Sequence, residues 1–296
     1  MIVFDTETID FLKRKNLISM LKETPFYQGS PDIRNANILF KFDELEMRYI
    51  RQSLNNPLDF FELCKFKNEL GNPIILKDYQ KKLLQEFDNE SKISVLHSRQ
   101  MGITMINAIY TLYYLFKNIG KNVCVFSDRQ CISAEFIDKL KFFYKQTPFY
   151  LKPGIKKWNT TEISFDNGCR IRLINSNKPS VGYQIHFLIG QDILYSTTKS
   201  LENLRRNVIP IMNCLKDSKM IFFNGGAPRN FNGYWEYFIE DNTNGFKNHR
   251  VYWYENSEFD EVWKKKEIIN LGSEESFNRE YGLTFTHNSN NENLNK

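Results

Sequence analysis

Residues 98–105 read Ser-Arg-Gln-Met-Gly-Ile-Thr-Met, close to the order that a phosphate-binding loop requires. Such a loop works because backbone N–H groups and a helix N-terminus surround the anion. A lysine meets the β- and γ-phosphates, and a Ser or Thr hydroxyl helps to hold Mg2+. Gly102 and Thr104 supply the glycine and the hydroxyl, but the residue between them, where lysine belongs, is Ile103. An apolar strand, Ile93–Leu96, enters the segment, and a helix over 104–117 leaves it. A strand, a turn and a helix joined by a glycine are common in proteins. The fragment alone therefore fits plain packing, with Ile103 against the sheet, as well as it fits phosphate binding.

Other stretches carry weaker chemistry. "IVFDTETID" (2–10) has the look of the first motif of DEDD-type exonucleases, in which Asp5 and Glu7 on a strand would bind two metals. The further acidic motifs and the His or Tyr that such enzymes need are not found, and the chain turns basic at "FLKRKN". Thr8 and Asp10 also suit a helix cap. Arg170 and Arg172 alternate on one face of a hairpin and, with Lys156 and Lys157, could meet DNA phosphates; a solvated strand face explains them as simply. Arg205 and Arg206 read as helix surface, and Lys264–Lys266 as a solvated helix face. Trp235, Tyr237 and Phe238, at helical spacing, read as core rather than a base-stacking platform. His97, at the strand end, reads as a structural hydrogen-bonding residue.

The elements that must position these residues follow from pattern. Residues 1–75 read as short helices broken at Pro25, Gly29-Ser30-Pro31 and Asn55-Asn56-Pro57. A helix with apolar spacing (Tyr79, Leu83, Leu84, Phe87) precedes the first strand. Further strands are expected at Val123–Phe126, Ile163–Phe165, Arg170–Ile174, Phe187–Ile189, Met220–Phe223 and 251–254, with helices over 130–145 and 201–213. Asp166-Asn167-Gly168 marks a hairpin, because the turn needs positive φ. Strands alternating with helices imply a mostly parallel α/β sheet.

Composition narrows the class. The chain has 296 residues, 41% apolar and 25% charged, which suits one large core or two modest ones. A net charge of +5 is compatible with phosphate backbones as partners but far from a histone-like excess. Five scattered cysteines (Cys64, Cys124, Cys131, Cys169, Cys214) and four histidines speak against a disulfide framework or a structural zinc, and a reducing compartment fits. No apolar run is long enough to span a membrane, and no signal-peptide pattern opens the chain.

Taken in order, six stretches raise the loop above chance. "LKDYQKKLL", "SRQMGITM", "AEFIDKLKFFYKQTPFYLKPGIKKWNTTEISFDNGCRIRL", "SVGYQIHFLIGQD", "SKMIFFNGGAPRNFNGYWEYF" and "EESFNREYGLTF" together resemble the ATPase domain of tailed-phage terminase large subunits, the motors that package DNA into capsids. The resemblance spans residues 57–286. It implies that Gln80 would hydrogen-bond adenine with Tyr79 beside it. Ser98, Arg99, Gly102, Ile103 and Thr104 would line the phosphates, Arg99 as a charge-stabilising finger and Thr104 on the Mg2+ side. Counting from Gly182, the metal-side Asp and catalytic Glu of the family fall on Gln191 and Asp192. A register slip by one gives Asp192-Ile193 instead.

Every departure from the family pattern touches the chemistry. Ile103 removes a positive charge from beside the phosphates, and loss of one such preorganised donor typically costs ~10²–10³ in rate. Gln191 cannot neutralise Mg2+ as a carboxylate would, and Asp192 is shorter than the Glu it replaces. The "TTTPNG" coupling segment has become "FNGGAPRN" (223–230). Clamp, metal and water positioning are needed together, so the losses multiply.

The resemblance therefore implies a P-loop NTPase-like (ASCE) α/β fold, a mostly parallel sheet sandwiched by helices. A small helical region (1–75) would precede the ATPase-like domain (76–286), and a disordered polar tail (287–296) would follow it. The implied role is a pseudo-ATPase, a structural or binding component of DNA packaging or of the virion. The alternatives are a packaging ATPase completed in trans by a neighbouring subunit and, further off, an exonuclease built on "FDTET". No resident cofactor is expected, at most weak binding of ATP with Mg2+. The implied partners are phage packaging or virion proteins (terminase, portal, capsid) and double-stranded DNA, with no membrane, in a homo- or hetero-oligomer. The implied location is the cytoplasm of an infected bacterial host, or the virion. The chain reaches "YGLTF" and a polar tail where terminases continue into a nuclease domain, so no nuclease is expected unless a separate chain supplies it.

Overall fold

A computed structural model describes residues 3–4, 24–174, 184–227, 238 and 243–284. Among them, helices α1 (Glu44–Ser53), α2 (Pro57–Cys64) and α3 (Asp78–Asn89) precede strand β1 (Lys92–His97). Then come α4 (Ile103–Lys117), β2 (Asn122–Phe126), α5 (Gln130–Gln146), β3 (Ile155–Trp158), β4 (Glu162–Phe165), β5 (Arg170–Ile174) and β6 (Phe187–Gln191). The chain continues through α6 (Thr198–Asn203), a π-turn and α7 (Ile209–Asn213) to β7 (Lys219–Gly225), β8 (Lys247–Val251), α8 (Glu261–Leu271) and α9 (Glu274–Glu280).

The eight strands form one sheet in the order β8-β1-β7-β6-β2-β5-β4-β3. The six from β8 to β5 run parallel, and the hairpin strands β4 and β3 add antiparallel pairs at one edge. The strands that end in His97 and Gln191 are thus separated by one strand, β7. Parallel strands need crossover helices, which bury both faces of the sheet. One face carries Ile93, Val95, Ile189 and Phe223 against α4, α5 and residues of the N-terminal helices such as Phe60 and Phe61. The other carries Leu96, Leu188 and Phe222 against Leu201, Leu204 and Met212. Helix α4 is buried almost all round, which explains its apolar sequence on every side.

The Asp166-Asn167-Gly168 turn closes β4 against β5, with Gly168 at φ 83°. On this hairpin Glu162 pairs with Arg172 at 3.1 Å and with Lys157 at 3.0 Å, which neutralises two of the four basic side chains and leaves Lys156 and Arg170 exposed. Phe238 is core, packed edge-on to Phe222 at 5.2 Å. The strand expected at 251–254 lies instead at Lys247–Val251, followed by a 3-10 turn over Trp253–Glu255. The physical reason is that β8 is an edge strand: Lys247, Asn248, His249 and Arg250 need no apolar face. The aromatic run that follows serves another cluster, with Trp253 5.8 Å from both Phe277 and Trp263. Val3–Phe4 pair in parallel with Leu39–Phe40. Asp5, Glu7, Thr8, Asp10, Gly182, Trp235, Tyr237 and the tail over 287–296 lie outside the described residues.

Candidate functional site

The loop of residues 98–102 leaves the C-terminal end of β1 and turns into α4 through two left-handed residues, Gln100 (φ 62°) and Gly102 (φ 70°). No side chain caps α4 and no acidic residue lies in its first turn. Among the described residues nothing accepts from the backbone N–H groups of Gly102, Ile103, Thr104 or Met105. Orphan donors at the positive end of a 15-residue helix form a cradle for an anion. Thr104 is half-buried on this turn, whereas Ile103 is only 1% exposed and belongs to the main core.

Helix α3 grips the loop from one side. Tyr79 Oη and Gln80 Nε2 both donate to the Met101 carbonyl at 3.0 Å, and Gln80 Oε1 accepts from the Lys77 N–H at 3.0 Å. Both ends of the Gln80 carboxamide are therefore engaged within the protein. A Cβ added at Gly102 would lie 2.7 Å from Gln80 Nε2. Gly102→Ala is expected to destabilise the domain by about 1–3 kcal/mol, from positive φ and the lost space together. Gly120→Ala, at φ 67° with nothing within 4 Å, incurs the φ cost alone. Chemical denaturation of the two variants separates the terms: equal losses would rule out the Gln80 contact as a constraint.

The opposite side is held by the end of β8 and the end of α9. Ser98 N–H donates to the Val251 carbonyl at 2.9 Å, and Ser98 Oγ donates to the Tyr281 carbonyl. Arg99 donates from its backbone to the Glu280 carbonyl at 3.2 Å and from Nε to Glu280 Oε2 at 3.0 Å. Its Nη2 reaches Tyr195 Oη at 3.2 Å, and that hydroxyl donates to the Gly225 carbonyl at 3.0 Å. Burial pushes the Tyr195 phenol up to about 12, so it stays a donor near neutral pH. The guanidinium groups of Arg99 and Arg129 lie 5.5 and 6.0 Å from the Tyr195 ring centre.

The mouth of the sheet brings the remaining residues together. Gln191 ends β6, and Asp192 follows it with φ 49°. The side chain of Gln191 leaves the same sheet face as Ile189, toward α4, and its Oε1 is buried without a hydrogen-bond partner. Asp192 Oδ1 accepts from the Gly225 N–H at 3.0 Å. Asn224 is fully buried; its Oδ1 accepts from the Leu194 N–H at 2.9 Å and its Nδ2 has no partner. His97, cross-strand from Gly225, donates from Nδ1 to the Ser98 carbonyl at 2.8 Å. Burial holds its imidazole down to about 4, against the opposing pull of the Ser98 carbonyl and the Asp192 charge.

Sequence reasoning picked out Tyr79, Gln80, Ser98, Arg99, Gly102, Thr104, Gln191 and Asp192. The structure places them all on or beside the loop, at the carboxyl ends of β1 and β6 and the start of α3. Tyr195, Asn224 and Glu280 were not picked out, because 181 residues separate Arg99 from Glu280 and no local pattern announces the contact. Among the described residues no group of three His, Cys, Asp or Glu side chains could hold a metal ion.

No protein-family model matches the chain. Solved structures similar to it include the large terminase ATPase domain of Thermus phage P74-26, with a TM-score of 0.61, 13% identity, and coverage of 78% of this chain and 99% of that one. The large terminase of bacteriophage HK97 gives a TM-score of 0.59 at 11% identity, covering 79% of this chain and 54% of that one. The large terminase of a thermophilic bacteriophage, in complex with ADP, gives 0.55 at 11% identity, covering 71% and 54%. The fold is that of phage large-terminase ATPase domains, and the chain spans about half the length of the HK97 protein and of the ADP-bound one.

Proposed function

We propose that this chain is a terminase-like ATPase fold that does not hydrolyse ATP and serves as a structural or binding component of phage DNA packaging or of the virion. The observation that carries the reading is Ile103: at the position where the phosphate loop of the resembled family has lysine, this side chain is 1% exposed within the core. The donor set supports the same conclusion. Mg2+ is bound by hard, charged oxygen ligands. Thr104, Gln191 and Asp192 offer one carboxylate, already accepting from Gly225, so these residues do not fit a catalytic Mg2+. What remains is the ring of backbone donors at the start of α4, suited to weak phosphate binding. A fold of this kind can keep its partner surface after losing turnover, because function resides in sites and not in the fold. Packaging or virion proteins and double-stranded DNA are the proposed partners.

The test is phosphate release measured beside thermal stability, with ATP and Mg2+ at saturating concentration. We expect no turnover and a small or absent stabilisation; a ligand at 100 times its Kd would stabilise by about 2.7 kcal/mol. Turnover by the chain alone would overturn the proposal. Turnover that begins only on addition of a second packaging subunit would assign the missing charge to a neighbour, the trans-completed motor.

A further inference from the structure

On the far side of the first turn of α4, a groove of about 510 Å³ runs between α5 and the turn over residues 68–74. Its floor is apolar, made by Ile74, Met105 and Phe142, and its rim carries Glu69, Glu135 and Asp138. Glu135, Asp138 and Phe142 share one face of α5 at spacings of three and four. Among the described residues none of the three carboxylates forms an ion pair. Lys139 is the one cation on the lining, so the groove is net acidic on a chain whose net charge is +5.

The outer lip is held rigidly. Asn68 Oδ1 accepts from the N–H groups of Leu70 and Asn72, both at 3.0 Å. The Lys67 backbone exchanges hydrogen bonds of 2.7 and 3.0 Å with the Gln146 carboxamide on α5. This turn holds Leu70 outward at 85% exposure. A leucine fixed in solvent by its own turn, over an apolar floor ringed by unpaired carboxylates, is not what a solvated surface requires.

We infer that this groove docks a basic amphipathic segment of a partner protein, its apolar side chains on Met105, Phe142 and Leu70 and its lysines or arginines against Glu69, Glu135 and Asp138. Charge complementarity selects this occupant: an acidic segment would meet three like charges, and a neutral one would leave them unused. The geometry also ties the groove to the loop, because the Met105 side chain lies 3.7 Å from the Cβ position of Gly102.

The probe is a synthetic amphipathic helical peptide of leucine and lysine, with a counterpart in which glutamate replaces lysine, read by fluorescence anisotropy on the full chain. On a protein of charge +5, non-specific attraction favours the acidic peptide, so preference for the basic one localises binding to the groove. We expect the basic peptide to bind at least about tenfold tighter than the acidic one, and to weaken as salt rises from about 0.05 to about 0.5 M. The charge reversal E135K/D138K is expected to abolish that preference while lowering the melting temperature only slightly, since Asp138 attracts Lys141 without forming an ion pair with it. Leu70→Ser should weaken both peptides alike. Equal binding of the two peptides, or undiminished binding to E135K/D138K, overturns the inference. Displacement of the basic peptide by adenosine would assign the groove to a nucleoside and overturn it too.

Discussion

Replacing Ile103 by lysine is expected to destabilise the protein and to leave it without turnover. The side chain is 1% exposed and packed in the main core, so the variant loses a buried aliphatic group and must either desolvate an ammonium or thread it toward the loop mouth. Together these cost about 2–4 kcal/mol, equivalent to a fall of roughly 5–15 °C in melting temperature. ATP should recover part of that loss, because its phosphates would give the ammonium a partner beside the uncapped start of α4. Phosphate release should stay at background: Gln191 still offers a carboxamide where the resembled family has the metal-side carboxylate. Hydrolysis is expected only when I103K is joined by Q191D and D192E. Thermal melts with and without ATP, beside a phosphate-release assay, read all three outcomes. Multiple turnovers by I103K alone would mean that Gln191 and Asp192 suffice, and that one residue separates this chain from an active enzyme.

The same residue shows why the loop was legible and its setting was not. Strand, glycine and helix are local features written by apolar runs and one positive-φ position, so β1, the loop and α4 could be read directly. The Asp166-Asn167-Gly168 hairpin was legible for the same reason. Edge strand β8 was not, because an edge needs no apolar stripe and its aromatic neighbours imitate one. What surrounds the loop depends on contacts across the whole chain. Glu280 and Tyr281 reach Ser98 and Arg99, and Asn224 meets the turn after Asp192, through the order of strands in the sheet. Spacing along the sequence carries no record of that order. The engagement of Gln80 with Met101 is likewise a tertiary fact: one N–H of its carboxamide braces the loop, a contact that no local pattern records.

Acid is expected to loosen this structure at His97, where the first strand becomes the loop. The imidazole is held neutral by burial, down to about 4, from an ordinary 6.5. The unfolded chain takes up that proton at higher pH than the folded one does. Stability contributed by the neutral form is therefore fully present above about pH 6.5 and is lost as pH falls toward 4. At about 1.36 kcal/mol per unit, the loss is on the order of 3 kcal/mol, and carboxylates elsewhere add their own acid dependence. His97→Asn removes the titration, and its amide can still donate to the Ser98 carbonyl in place of Nδ1. The difference in unfolding free energy between the two proteins, measured by urea denaturation from pH 4 to pH 7, should be constant above about pH 6.5 and shift in favour of His97→Asn, by on the order of 3 kcal/mol, as pH falls to 4. Parallel curves would show that the imidazole titrates alike in both states and is not sealed in the fold. That shift would show that the ring is held neutral in the fold, where it lies cross-strand from Gly225 and hydrogen-bonds the Ser98 carbonyl. A protonated His97 faces the Arg99 guanidinium as a like charge, and the clamp on the phosphate loop by Glu280 would have to open to admit water between them.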